Sequence, residues 1–336
     1  MPSVGVLHMS FIAIFVALLL EQARPLARAN PIHSILRTWV RWAGRNFDAG
    51  RTQHGWLTWS VAVLAPSVAV LAVYWLLVQT IGWAAAVVWN IVVLYITLGF
   101  RQFSHHFTEI RDALEGGDEE RARALLASWQ QVDAAGLPKS EIVRQVIEHS
   151  VIAAHRHVFG VLAWFSVLSA LGLGPAGAVF YRLSEFVPRY WDHKNDALLQ
   201  PVSGASRDVA AWAWWLVDWL PARITAMAFA VVGSFEEAIE SWRNHEQGGP
   251  RDNDGVILAA TAGAINLRLG RADARPGSAA PEPAMEGPAD ISGSGGTATG
   301  QAPEVGHLRT VVGLVWRTVV MWMILLALLT LARLIG

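Results

Sequence analysis

Two charged side chains stand inside an apolar stretch. Asp218 and Arg223 lie within Trp212–Gly233, where nearly every other residue is apolar. A lone charge at the centre of a bilayer costs several kcal/mol, roughly 2.5–3.5 on insertion scales. The two must therefore pair or face a watery cavity. Arg223 could then grip an anionic group through two parallel N–H donors. A plainer reading is also open: a structural ion pair, or an interfacial helix from which Arg223 snorkels.

Other residues suggest chemistry less clearly. His105, His106, His149, His155 and His157 cluster in sequence near Glu109 and Glu148. Catalytic zinc takes three His, or His with Glu, but this spacing matches no ligand motif. His155 and His157 should point to different helix faces. No metal is therefore expected, and these histidines are expected in the headgroup region. Gly172-Leu173-Gly174-Pro175-Ala176-Gly177 has the form G-x-G-x-x-G. It lacks the strand, helix and acidic partner of a dinucleotide site, so it reads as a kink between membrane segments. Asn253-Asp254-Gly255, followed by Ala259–Ala264, reads as a turn feeding a closely packed helix. No P-loop occurs, and cysteine is absent, which excludes disulfides and thiolate chemistry.

The elements that must position these residues are mostly apolar. The 336 residues are 53% hydrophobic and 16% charged, against about 25% charged in a soluble domain. Net charge is -1, so nucleic acid is not an expected partner. Seventeen Trp suit membrane interfaces. Residues 4–20 form an apolar stretch at the short limit of a span, without a signal peptide's basic start. An Arg-rich loop closes the first unit, 1–57, and is expected in the cytoplasm. A transmembrane hairpin follows over 58–100, then two or three cytoplasmic helices over 101–157. Gly116-Gly117-Asp118 should end one of these and cap the next. Residues 158–270 form a membrane-associated core, interrupted at Gly172–Gly177 either by a kink or by a pair of re-entrant half-helices. Residues 271–306, rich in Pro, Gly, Ala and Ser, read as a disordered linker, and 307–336 as a last transmembrane helix.

Four stretches resemble the CobD/CbiB family of cobalamin-biosynthesis membrane proteins. They are Ala113–Arg123, Glu141–Glu148, Leu220-Pro221-Ala222-Arg223-Ile224-Thr225-Ala226, and Asn253-Asp254-Gly255 with Ala262-Gly263-Ala264 and Leu267-Arg268-Leu269-Gly270. The last two are the most specific, and the likeness covers about half the chain. It implies amide formation between a corrinoid carboxylate and an aminopropanol phosphate, with ATP and Mg as cofactors only if that activity is retained. It also implies a ligand site in which Arg223, Asn253 and Asp218 converge. The chain departs from the family where an acidic motif is due, having Ile152-Ala153-Ala154-His155-Arg156-His157 instead. Two further polar motifs are reduced, to Ala29–His33 and to Ser184–Arg189 with Asp192–Asn195. The pattern is that of a divergent, catalytically degenerate member. Asp218-Trp219-Leu220-Pro221-Ala222-Arg223 is similar to AmpE as well, which makes a regulatory role the alternative. Asn253–Gly270 favours CobD/CbiB.

The expected architecture is an all-α, polytopic integral membrane protein of the cell inner membrane with a cytoplasmic helical region. Its expected partners are membrane lipids and a corrinoid, with room for a homo-oligomer. Reporter fusions at Arg45 and Ala127 should both report the cytoplasm, because a tight hairpin returns the chain to the side it left. Activity of a periplasm-only reporter at either point would contradict this topology.

Overall fold

A computed structural model describes residues 3–23, 31–130, 133–194, 202–248, 252–270 and 300–335. Those residues are helical almost throughout. The chain runs through α1 (Ser3–Ala23), α2 (Pro31–Phe47), α3 (Thr52–Thr80), α4 (Trp83–Thr97), α5 (Phe100–Glu115) and α6 (Glu119–Gln130). It continues with α7 (Lys139–Ala154), a π-helical turn (His155–Phe159), α8 (Gly160–Ala170) and α9 (Ala176–Lys194). Last come α10 (Gly204–Val232), α11 (Phe235–Gly248), α12 (Asn253–Ile265) and α13 (Val305–Ile335).

Among the described residues, four helices are long and apolar enough to cross a membrane: Thr52–Thr80, Lys139–Ala170, Gly204–Val232 and Val305–Ala332. Their outward faces carry large apolar side chains. Val68 and Leu76 on α3, and Leu325 and Leu328 on α13, are all more than half exposed. Water would not tolerate such continuous apolar surface, whereas lipid requires it. The protein is thus an all-helical, multi-pass membrane protein.

The α3–α4 hairpin turns at Gly82, whose φ of +109° suits glycine. Asp118 caps α6, accepting the Arg121 N–H at 3.0 Å, as the sequence predicts. Residues 101–157 do not end as a separate unit. α7, the π turn and α8 form one helix that carries the polar region straight into the apolar one. The interruption at Gly172–Gly177 is a tight antiparallel turn between α8 and α9. Gly174 packs on the Tyr74 ring, where an added Cβ would come within 2.6 Å. Residues 271–299 of the expected linker lie outside the described residues. Its end is fixed: Gln301 and Arg268 exchange backbone bonds with Asn266 and Gln301 at 3.0 Å each. The Gly270 N–H also meets Glu148 on α7 at 2.7 Å.

Asp48 ties α2 to the start of α10. Its carboxylate accepts the Ser203 N–H at 2.6 Å, the Ser203 hydroxyl at 2.8 Å, the Ser206 hydroxyl at 2.9 Å and the Gly50 N–H at 3.0 Å. Burial pushes this carboxyl up, but those donors outweigh burial and hold it below its ordinary 3.8. A depressed carboxyl stabilises the fold above its unfolded value, and the effect fades as pH falls through the folded one. Asp48→Asn should therefore lower stability by about 1–3 kcal/mol at pH 7. The gap to wild type should shrink below pH 3.8. Thermal unfolding in detergent at both pH values checks this, and a gap that does not change with pH contradicts it.

Candidate functional site

The π turn sets the site. A π turn admits one extra residue into a helix and often accompanies function. Here it separates His155, aimed at the core, from Arg156, aimed at a cavity.

His155 is fully buried. Its Nε2 lies 2.8 Å from Asp218 Oδ1 and its Nδ1 lies 2.9 Å from Thr225 Oγ1. The Tyr181 hydroxyl donates to the same Asp218 oxygen at 2.8 Å and lies 3.3 Å from His155 Nε2. One ring nitrogen thus faces Asp218 and the other Thr225, so both have a hydrogen-bonding partner. Asp218 Oδ2 remains buried without a hydrogen bond among the described residues. α9 can bring Tyr181 this close because Gly160 faces it. A Cβ there would strike the phenol at about 2.0 Å.

Arg156 points the other way. Its Nη2 donates to Asp254 Oδ2 at 2.5 Å, and its guanidinium lies over the Trp214 ring, 5.9 Å from the centroid. Trp214 in turn packs on Tyr181, with ring centroids 5.4 Å apart. Arg156, Trp214 and Glu185 line a cavity of about 430 Å³ together with Arg189, Asp192, Arg207 and Asp208. Glu185 is buried between Arg182, at 2.8 Å, and Arg189.

Arg223 and Asn253 meet in a separate cluster. Arg223 Nη1 donates to Asn253 Oδ1 at 2.6 Å and Nη2 approaches Glu246 at 3.3 Å. The guanidinium lies 4.6 Å from the Trp219 ring centroid. Asn253 Nδ2 donates to the Trp215 carbonyl at 2.9 Å.

The structure brings Arg223 and Asn253 together and sets Asp218 apart from them. Five residues of helix rotate Asp218 and Arg223 to well-separated faces at about 100° per residue. They neither pair nor share a cavity. His155 is buried inside the protein as the partner of Asp218. His149 sits edge-on to Trp129 at 4.4 Å, and His106 stacks on the same ring at 5.8 Å. Tyr181 carries no local signal, and Arg156, Thr225 and Glu185 lie in the compared stretches without standing out from them. A buried carboxylate at Asp218 calls for a donor, but nothing local names His155 as that donor.

Removing one donor should expose how much the network depends on it. Tyr181→Phe keeps the ring and deletes the hydroxyl that donates to Asp218, and Thr225→Val deletes the contact to His155. Each should destabilise by about 1–3 kcal/mol. Chemical unfolding in mixed micelles measures this, and changes within ~0.3 kcal/mol of wild type would mean that the polar contacts contribute little.

Comparison with known proteins places this geometry. The model of the CobD/Cbib protein family matches residues 11–295, well beyond the half of the chain that the motifs covered. The cobalamin biosynthesis protein CobD of Stutzerimonas stutzeri is 30% identical over 321 residues, covering 94% of this chain and 96% of that protein. The CobD of Chromobacterium violaceum is 31% identical over 180 residues, 54% of each chain. The CobD of Mycobacterium tuberculosis (strain ATCC 25618 / H37Rv) is 29% identical over 181 residues, covering 52% of this chain and 55% of that one. No solved structure matches. With the family model and a near end-to-end relative in agreement, this chain belongs to the CobD/CbiB family.

Proposed function

We propose that the protein serves cobalamin biosynthesis in the cell inner membrane, holding the substrates that its family joins: a corrinoid carboxylate and an aminopropanol phosphate. The near end-to-end likeness to a cobalamin biosynthesis protein carries this reading. The cavity supports it in size. Arg156, Arg189 and Arg207 line it beside Glu185, Asp192 and Asp208. A phosphate would have to compete with the carboxylates that already pair Arg156, Arg189 and Arg207, and the volume suits a small zwitterion.

The family reaction would add ATP and Mg²⁺. Mg²⁺ takes carboxylate and water oxygens in an octahedron. Here Glu185 is held by Arg182 and Arg189, Asp192 by Arg207, and Asp254 by Arg156. Carboxylates neutralised by arginine do not fit the metal, and no step through it is derived. The same observation favours a second reading, an AmpE-like regulatory protein that binds without catalysing.

The proposal locates the phosphate at Arg156. Purified protein should bind aminopropanol phosphate, and Arg156→Ala should weaken that binding about tenfold or more. Arg156→Lys should restore little, since the planar fork is lost. In a strain lacking cobinamide-phosphate synthase, the wild type should fail to complement. Complementation would refute the degenerate reading. Binding of neither aminopropanol phosphate nor a cobinamide-type corrinoid would refute the biosynthetic one and leave regulation.

A further inference from the structure

α10 is long enough to cross the bilayer, since 29 residues rise about 43 Å. Its contacts place it otherwise. The two ends of the helical bundle can be told apart. At one end the α8–α9 turn meets the far part of α3, with Gly174 on Tyr74, near the α3–α4 turn. Ser10 on α1 bonds Ser169 at 2.6 Å close by. At the other end α3 begins, α4 runs into α5, and the polar helices α5–α7 stand.

The first turn of α10 lies at this second end, and its last turn reaches no further than the middle of the helix Lys139–Ala170. The first turn of α10 rests on Asp48 through Ser203, and Gly55 at the start of α3 packs on Ala205, Ser206 and Val209. Further along, Thr225 reaches His155, and Phe229 meets Phe159 edge-on at 5.6 Å. Past the last turn, the Ser234 N–H donates to the Ala264 carbonyl at 3.0 Å. From there the chain reaches Gly270, which docks on Glu148, two turns of α7 before His155. Neither end of α10 reaches the level of Tyr74 and Gly174.

The outward face of α10 is apolar. Trp212, Leu216, Trp219, Leu220, Met227 and Val231 are 41–57% exposed and recur at helical spacing. This stripe continues the lipid-facing surface of α3, because Trp212 packs edge-on against the exposed Trp56 at 5.4 Å. Arg223 interrupts it, lying on the Trp219 face. Tryptophan is the side chain enriched at the headgroup boundary.

We infer that α10 does not cross the membrane but lies in its interface, with Trp212–Val231 seated at the boundary between phospholipid headgroups and acyl chains. The cavity beside Arg207, Asp208 and Trp214 then opens at the membrane surface, on the side of the polar helices. The inference does not depend on what the cavity binds.

The chain contains no cysteine, so single cysteines report without background. Gly204→Cys and Phe235→Cys bracket α10 at open or exposed positions, and Ile81→Cys, at the α3–α4 turn, marks the opposite side. In vesicles of both orientations, an impermeant maleimide should label positions 204 and 235 from one side and position 81 from the other. Labelling of 204 and 235 from opposite sides would overturn the inference. A fluorophore on Leu216→Cys or Leu220→Cys should be quenched by shallow lipid-borne quenchers more than by deep ones. Stronger deep quenching, or shielding from lipid in a dimer formed through this face, would overturn the inference as well.

Discussion

A carboxylate buried in an apolar helix is the constraint around which this protein is arranged. Asp218 is 1% exposed. Leaving such a charge without a partner costs several kcal/mol, more than most single contacts return. The solution takes three elements. The π turn supplies His155 and α9 supplies Tyr181 to the carboxylate, while Thr225, two turns beyond Asp218 on α10, holds the other nitrogen of His155. Each donor must arrive at hydrogen-bond distance, so the positions of α8, α9 and α10 become mutually dependent. Gly160 and Gly177 permit the close approach of α8 and α9 on which this depends.

The functional surface is the outer side of the same arrangement. Arg156 follows His155 in sequence, so fixing the histidine inward fixes the arginine outward, over Trp214 and onto Asp254. The start of α12 braces two arginines with consecutive residues, Arg223 through Asn253 and Arg156 through Asp254. Asp252 caps that helix, accepting the Gly255 N–H at 2.9 Å, which holds the Asn-Asp-Gly turn in place. The family-like motif therefore joins α10, α11 and the π turn.

Much of this fold was legible in sequence because apolar length and charge clustering are one-dimensional signals. The α3–α4 hairpin, the capped turn at Asp118, the helix opening at Asn253 and the final helix all follow from such signals. The pairing of Asp218 was not legible. Its partner lies 63 residues away, on another helix. The grouping of Asp218 with Arg223 failed for a related reason. Proximity in sequence suggested one site, while helical rotation separates the two faces. The family likeness located Arg223 and Asn253 together because their motif residues are local. It gave no hint of Arg156, which stands where an acidic motif was due.

A double-mutant cycle on His155 and Asp218 tests the central claim most directly. Equilibrium unfolding of His155→Leu, Asp218→Leu and the double variant would be compared in the same micelles. Each single change should cost about 3–5 kcal/mol, because it strands a buried partner. The double variant should lose less than the sum by at least ~1 kcal/mol, since removing both leaves neither of the pair facing an empty partner. Losses that add to within ~0.5 kcal/mol would show that the two side chains act independently, contradicting the account.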